Sequence, residues 1–269
     1  HAKMDKTDKK QSFLSHLEDL RWVFVRCFTG IVICSILAFI FSDFIFDQII
    51  FAPKNTDFPT YTIYRNLAET LSMDTTLFAT EFNFELQNRK MEGQLSVLIW
   101  TCFSFGVMAA FPLIMFEFWK YISPALYKNE KKYGLLFLSS ASLLFFIGVL
   151  FGYYVIVPLS INFFSGFSIS DVIENQIDVN SYISLVRTTL LASGVVFNLP
   201  VIIYFLYRTG LISTAFLKEY RRYAYVIILI ASAVITPPDI LSQVLLVIPM
   251  AILYEASIYL TSTFRLKTV

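Results

Sequence analysis

The residues Leu95 to Phe116, LSVLIWTCFSFGVMAAFPLIMF, form a run of 22 residues without a charged side chain. A helix of this length rises about 33 Å, which is enough to cross the roughly 30 Å hydrocarbon core of a bilayer. Apolar residues make up 57% of the 269-residue chain, which is well above the content of soluble domains. The composition therefore indicates an integral membrane protein.

Similar apolar blocks divide the whole chain. They occupy residues 22–42, 95–116, 134–158, 182–207, 223–236 and 241–260. Six helical spans predict an all-α integral membrane protein whose two termini lie on the same side of the bilayer. Only the fourteen residues 223–236 separate Arg222 from Pro237, and a helix of that length rises about 21 Å. We therefore expect short fifth and sixth spans, and the prolines within or beside other spans predict bent helices and a concave, glove-like bundle.

The distribution of basic residues predicts the orientation. Most of the 21 Lys and Arg residues lie in the N-terminal segment, in the loops after the second and fourth blocks, and in the tail. Loops rich in Lys and Arg stay in the cytoplasm. This predicts a cytoplasmic amphipathic segment over residues 1–21, a membrane domain over 22–260 and a cytoplasmic tail over 261–269.

The long acidic loop over residues 43–94 is predicted to form an ordered extracytoplasmic cap. Loops of this length without structure of their own are uncommon. Aromatic residues alternate at Phe82 and Phe84, and we expect short extended pieces at Tyr61 to Tyr64 and at Phe78 to Leu86.

Several classes of function are disfavoured by what the sequence lacks. No HExxH or GxxxxGK[ST] motif is present and no histidine lies in an apolar block, so we expect no catalytic residue, metal site or cofactor. The basic residues are spread over membrane loops, so no nucleic-acid partner is expected. A small-molecule secondary transporter would be expected to show related halves with paired broken helices. That class and a membrane scaffold remain the alternatives.

Three motifs, in this order, carry a family resemblance. They are FLSHLEDLR at Phe13 to Arg21, SPALYKNEKK at Ser123 to Lys132, and TPPDILSQ at Thr236 to Gln243. On these three motifs, together with the number of spans and the order of the loops, the chain resembles the TatC family, the six-span core of the twin-arginine protein translocase. The resemblance covers nearly everything from Phe13 to about Leu260.

The resemblance implies a receptor for signal peptides with consecutive arginines, and export of folded proteins driven by the proton gradient across a bacterial-type inner membrane. A guanidinium forks onto carboxylates, so paired acids can favour Arg-Arg over Lys-Lys. The implied binding residues are Asp19, Glu130, Glu18, Arg21, Trp119, Tyr121 and Lys128. Asp19 stands where the family usually has glutamate, and Glu18, about 100° around the helix, can share its role. The two aromatic residues form either a wall for the peptide or an ordinary interfacial belt.

The hairpin motif is implied to be where single-span TatA and TatB type subunits dock, in a complex with several copies of this chain. The residues are Thr236, Pro237, Pro238, Asp239, Ser242 and Gln243, and their alternative role is capping of the hairpin. Asn198 precedes Leu-Pro, where the family tends to place a glutamate. It is expected either to bond the carbonyl that Pro200 frees or to contact a partner helix.

Three further charged residues lie in or near the spans. Glu117 and Glu255 are expected to pair with cations of the cytoplasmic loops. Arg187 is expected to extend toward the membrane surface or to meet Asp178.

Overall fold

The structure, a computed structural model, describes residues 2–55, 57–70, 85–123, 134–167, 176–236 and 240–263, without the side chains of residues 2–16, 67–68, 134–136 and 240–241. The chain divides into two compact units. The first unit comprises residues 1–40 and 102–142, and the second comprises residues 41–101 and 143–269.

Helices dominate the described residues, as the apolar blocks predict. In chain order they are α1 (Ala2–Ile40), α2 (Ser42–Phe44), α3 (Pro59–Thr70), α4 (Gly93–Ile122), α5 (Gly134–Phe151), α6 (Val157–Gly166), α7 (Val179–Phe197), α8 (Leu199–Arg208), α9 (Thr214–Glu219), α10 (Arg221–Ile235) and α11 (Ile240–Thr263). Two short strands, β1 (Leu86–Gln87) and β2 (Ile177–Asp178), form a parallel pair.

Five of the helical stretches are long and apolar enough to cross a membrane. They are Leu17–Ile40, Gly93–Ile122, Phe137–Gly166, Val179–Arg208 and Ser242–Thr263. The third stretch joins α5 to α6 through a π-helical turn, Gly152–Ile156, which precedes Pro158. The fourth joins α7 to α8 across Asn198, with Pro200 near the start of α8. The prediction of an all-α membrane protein is confirmed.

The fifth apolar block forms α10, whose 15 residues rise about 22 Å. It is the short span that the sequence predicts. The last helix, α11, differs from the short sixth span that we expected, because it has 24 residues and rises about 36 Å. It accommodates Pro249 in its interior and continues to Thr263, beyond the end of the apolar block.

Within the first unit, α1 and the latter part of α4 approach each other closely at a glycine. A Cβ atom added to Gly106 would lie 2.7 Å from the backbone nitrogen of Ser35, closer than real Cβ contacts allow. Small residues permit such backbone contact between membrane helices. Ser35 directs its hydroxyl to the carbonyl of Ile31 at 2.8 Å, so no polar group is lost at this contact.

The core of the second unit lies among the helices from the third span onward. Its buried members are Ile156, Ile203, Leu217, Ile228, Leu246, Met250, Tyr254 and Ile258. The Tyr254 hydroxyl donates to the carbonyl of Leu217 at 2.9 Å, which joins α11 to α9. The cluster therefore holds the short α10 against the longer α11.

The cap is attached to the spans of the second unit by hydroxyl groups that donate to backbone carbonyls. The bonds to the spans are Tyr61 to Pro158 at 3.3 Å, Tyr153 to Ile49 at 2.9 Å, Tyr182 to Ile50 at 3.0 Å and Thr60 to Tyr154 at 2.7 Å, and Tyr61 also bonds Pro53 within the cap at 2.9 Å. Burial raises the pKa of Tyr61 above its usual value, so this hydroxyl keeps its proton at neutral pH and remains a donor. The described part of the cap, residues 43–55, 57–70 and 85–94, is therefore held against the spans of this unit.

The secondary structure of the cap differs from our expectation. Tyr61 to Tyr64 lie in α3 and are helical, because Pro59 at the first position has a fixed φ suited to a helix start. Phe58 and Tyr61 are buried at helical spacing. Most of Phe78 to Leu86 lies outside the described residues, and its end pairs with the second external loop through Leu86 and Ile177.

Replacing Tyr182 by phenylalanine is expected to lower the free energy of unfolding by about 1–2 kcal/mol, because the buried carbonyl of Ile50 loses its donor. Tyr259→Phe is the matched control, since its side chain is 70% exposed. Thermal unfolding of the two purified variants checks this, and equal midpoints would contradict the attachment of the cap through hydrogen bonds.

Candidate functional site

The carboxylates at the start of the first span are exposed. Glu18, Asp19 and Arg21 all lie on α1, which continues without a break into the membrane stretch that begins at Leu17. Among the side chains that the structure describes, neither carboxylate forms an ion pair with Arg21 or another cation.

The second acidic motif cannot be placed beside the first. Glu130 and Lys128 lie in residues 124–133, which are outside the described part of the chain. Trp119 and Tyr121, on the last turns of α4, are half-buried. The Trp119 ring lies 4.9 Å from that of Phe137, tilted by 33°, so this indole already has an aromatic contact within its own unit.

An ion pair inside the spans of the first unit was missed by sequence reasoning. Arg26 Nη1 donates to Glu117 Oε2 at 2.9 Å, joining α1 to α4. We expected Glu117 to pair with a loop cation, and that was wrong, because the carboxylate is buried and its partner lies on the neighbouring span. The signal that would have indicated this pair was an arginine inside the first apolar block and a glutamate directly after the second block, each near the same end of its span.

Asn198 lies at the break in the fourth span and is 5% exposed. Its backbone N–H bonds the carbonyl of Val195 at 3.1 Å, so the carbonyl of Gly194 lacks its usual helical donor. The Asn198 side chain replaces that donor, because Nδ2 donates to Gly194 O at 3.1 Å. The side chain therefore completes α7, and does so at Gly194 and not at the carbonyl that Pro200 frees.

The polar residues of the hairpin motif that the structure describes bond within their own unit. Thr236 is buried and donates from Oγ1 to the carbonyl of Ser232 at 2.8 Å. Ser242 is fully buried, and its hydroxyl lies 3.2 Å from that of Ser160. Gln243 donates to the carbonyl of Leu229 at 3.4 Å. Pro237, Pro238 and Asp239 lie outside the described residues.

At the opposite end of the hairpin, Glu255 joins α11 to α10. Arg221 Nη2 lies 3.0 Å from Glu255 Oε2, and Tyr225 donates its hydroxyl to the other carboxylate oxygen. The expected pairing of Glu255 with a cation at this end of the chain is confirmed. Both ends of the α10–α11 hairpin are thus fixed by polar contacts.

The family described as Sec-independent protein translocase protein (TatC) matches residues 15–249. A TatC protein of this description from Blattabacterium sp. subsp. Periplaneta americana (strain BPLAN) is 39% identical over 259 residues, covering 96% of this chain and 97% of the relative. Another from Desulforapulum autotrophicum is 34% identical over 264 residues, covering 98% of this chain and 89% of the relative.

Solved structures agree with these relatives. The crystal structure of the twin arginine translocase receptor TatC in DDM superposes with a TM-score of 0.67 at 30% identity, covering 91% of this chain and 98% of that one. A second crystal structure of this receptor gives a TM-score of 0.68 at 29% identity. The matches extend over the membrane spans, the cap and the hairpin. The chain belongs to the TatC family of Sec-independent protein translocase proteins.

Proposed function

We propose that this chain is the signal-peptide receptor and assembly core of a twin-arginine translocase. The chain is a multi-pass membrane protein of a protein translocase family. In the proposal it lies in the inner membrane with both termini in the cytoplasm, and it binds Arg-Arg signal peptides of folded proteins. Transport is driven by the proton gradient.

The exposed carboxylates of Glu18 and Asp19, which form no ion pair among the side chains that the structure describes, carry this proposal. They lie in the first turn of the apolar stretch Leu17–Ile40, where a signal peptide at the membrane surface can reach them and where a guanidinium can bond a carboxylate. The excess of Lys and Arg in the same set of loops supports a cytoplasmic position for them. Glu130 belongs to the same proposed site, with Arg21, Lys128, Trp119 and Tyr121 around it.

The partner subunits of the proposed complex are single-span proteins of the TatA and TatB type, together with further copies of this chain. We propose the hairpin from Thr236 to Gln243 as their docking place. The burial of Thr236 and Ser242 supports a role for these two residues in holding the hairpin in shape, while Gln243, which is half-buried, is the described residue more available to a neighbouring helix. Asn198 is internally bonded through Nδ2, and its Oδ1 is an acceptor without a donor among the described residues.

Binding of a labelled signal peptide to the chain in nanodiscs tests the receptor function. Arg-Arg peptide is expected to bind at least about ten-fold more tightly than a Lys-Lys peptide, because hydrogen bonds between charged groups contribute about 1.5–3 kcal/mol each. Asp19→Asn and Glu130→Gln remove the charge at nearly constant volume and are expected to abolish this preference.

Glu219→Gln is the matched control, because Glu219 is an exposed carboxylate at the end of α9 and lies outside the proposed site. The control is expected to bind like the unmodified chain. Equal binding of both peptides by the unmodified chain, or an equal effect of all three variants, would overturn the receptor assignment.

A further inference from the structure

A polar cavity of about 630 Å³ opens in the second unit, beside the first half of α7. It is bounded by the start of α4, by α6, by α7 and by the end of α10. The short α10 ends here at Ile235, and Val234, Ile235 and Thr236 line the cavity at that end. None of the candidate residues for peptide binding lines this cavity.

Two cations and one carboxylate line the cavity. Arg187 comes from α7, Lys90 from the segment before α4, and Asp178 from the position before α7. Among the described residues neither cation forms an ion pair, and Arg187 is held only against the face of Trp100, with its guanidinium carbon 5.9 Å from the ring centroid. Arg187 thus forms no ion pair with Asp178 or with another carboxylate of the described residues. Of the two expected positions for Arg187, the contact with Asp178 is not found.

The carboxylate is also incompletely satisfied. Asp178 occupies the N-cap position of α7, but its side chain makes no capping hydrogen bond. Its Oδ1 atom is buried and has no hydrogen-bond partner among the residues that the structure describes. The first N–H groups of α7, at Asn180 and Ser181, therefore receive no hydrogen bond acceptor from the Asp178 side chain, and N–H groups at a helix start can donate to an anion.

The depth of the cavity matches that of lipid headgroups. Arg187 is eight residues from the start of α7, a rise of about 12 Å, in a stretch of 30 residues that rises about 45 Å and so spans the headgroup layers as well as the hydrocarbon core. A long arginine side chain at that depth can extend to the phosphate level. An apolar partner helix in the cavity would leave its charges unpaired in the membrane, which is costly.

We propose that this cavity binds the headgroup of a zwitterionic phospholipid with a primary ammonium group, such as phosphatidylethanolamine. Arg187 and Lys90 bind the phosphate, because basic pockets between membrane helices recognise phosphate headgroups and a guanidinium can bond two phosphate oxygens at once. Asp178 accepts hydrogen bonds from the ammonium group. The arrangement matches the charges of the headgroup, with two cations for its anion and one carboxylate for its cation.

Native mass spectrometry of the purified chain, titrated with defined lipids, tests this site. The chain is expected to bind dioleoylphosphatidylethanolamine about ten-fold more tightly than dioleoylphosphatidylcholine, whose quaternary ammonium cannot donate a hydrogen bond to Asp178. Asp178→Asn is expected to remove that difference. Arg187→Gln is expected to weaken the binding of both lipids by about ten-fold or more, as the loss of a charged hydrogen bond to phosphate implies.

Arg89→Gln is the matched control, because Arg89 is exposed, adjoins Lys90 in sequence and does not line the cavity. If Arg187→Gln does not fold, Lys90→Gln, at an exposed position, is expected to weaken binding in the same direction. Equal binding of both lipids by the chain and its variants would mean annular lipid only and would overturn the proposal. Displacement of the lipid by free O-phosphoethanolamine or inorganic phosphate at equal concentration would instead identify a soluble phosphate ligand and overturn the lipid assignment.

Discussion

Replacing Glu117 by leucine is expected to lower the free energy of unfolding by about 1.5–3 kcal/mol, because the charged hydrogen bond between Arg26 and Glu117 is lost. Arg26 lies four residues inside the apolar block that begins at Trp22, a rise of about 6 Å, and its side chain is 45% exposed, whereas that of Glu117 is 10% exposed. The buried carboxylate makes the converse change, Arg26→Leu, costly for the same reason.

The double variant Arg26→Leu with Glu117→Leu is expected to regain most of that loss. Hydrophobic residues of similar size can replace a buried ion pair with little cost, whereas removal of one partner leaves an unpaired charge. Thermal unfolding of the four proteins in one detergent measures the coupling between the two positions. Glu255→Leu is the control, since its pair with Arg221 is partly exposed on both sides and is expected to contribute less. Additive single effects in the double variant would show that the pair does not act as a unit.

Replacing Gly148 by valine is expected to destabilise the second unit by about 3 kcal/mol, near the upper end for overpacking of a helix contact. A Cβ atom at this position would lie 2.5 Å from the carbonyl oxygen of Ser193 and 2.7 Å from Cβ of Phe197. Both are atoms of α7 that cannot move without shifting the helix. Gly194 on α7 also has a close neighbour, because its added Cβ would lie 2.7 Å from the ring of Phe145, but this contact is with a side chain and not with backbone.

Gly166→Val is the matched control for Gly148→Val, because nothing lies within 4 Å of the Cβ position at the end of α6. The control is expected to unfold within a few degrees of the unmodified chain. The measurement is the midpoint of thermal unfolding in detergent, followed by tryptophan fluorescence. Equal shifts for the two variants would show that loss of glycine, and not the close contact between the third and fourth spans, is what the unfolding reports.

The spans were predictable because a bilayer imposes a minimum apolar length on any helix that crosses it. The blocks at 95–116 and 182–207 correspond to Gly93–Ile122 and Val179–Arg208, and the short fifth block corresponds to Arg221–Ile235. The ends of the helices extend past the apolar blocks because polar residues in the interfacial layer continue the helix. Apolar length alone therefore underestimates the last helix.

The contacts between spans were not predictable in the same way. Arg26 and Glu117 are 91 residues apart in sequence, and the sequence does not show which cation the carboxylate will meet. The helix of the cap was also missed, since aromatic residues at Tyr61 and Tyr64 favour a strand in isolation, and the burial of one helix face prevails over that preference. At the candidate site, the sequence motif indicated Asp19 as a candidate residue. Only the structure shows that Asp19 forms no ion pair with the side chains that are described around it.

The tyrosine bonds that order the cap and attach it to the spans have a consequence for which substitutions this protein can accept. Their acceptors are the backbone carbonyls of Ile49, Ile50 and Pro53, which every amino acid possesses. Substitutions at those three positions leave the acceptor in place, whereas each donor depends on one phenol group. In a library of single substitutions, the donor tyrosines are therefore expected to tolerate fewer replacements than exposed tyrosines such as Tyr259. The acceptor positions can change their side chains without loss of these hydrogen bonds.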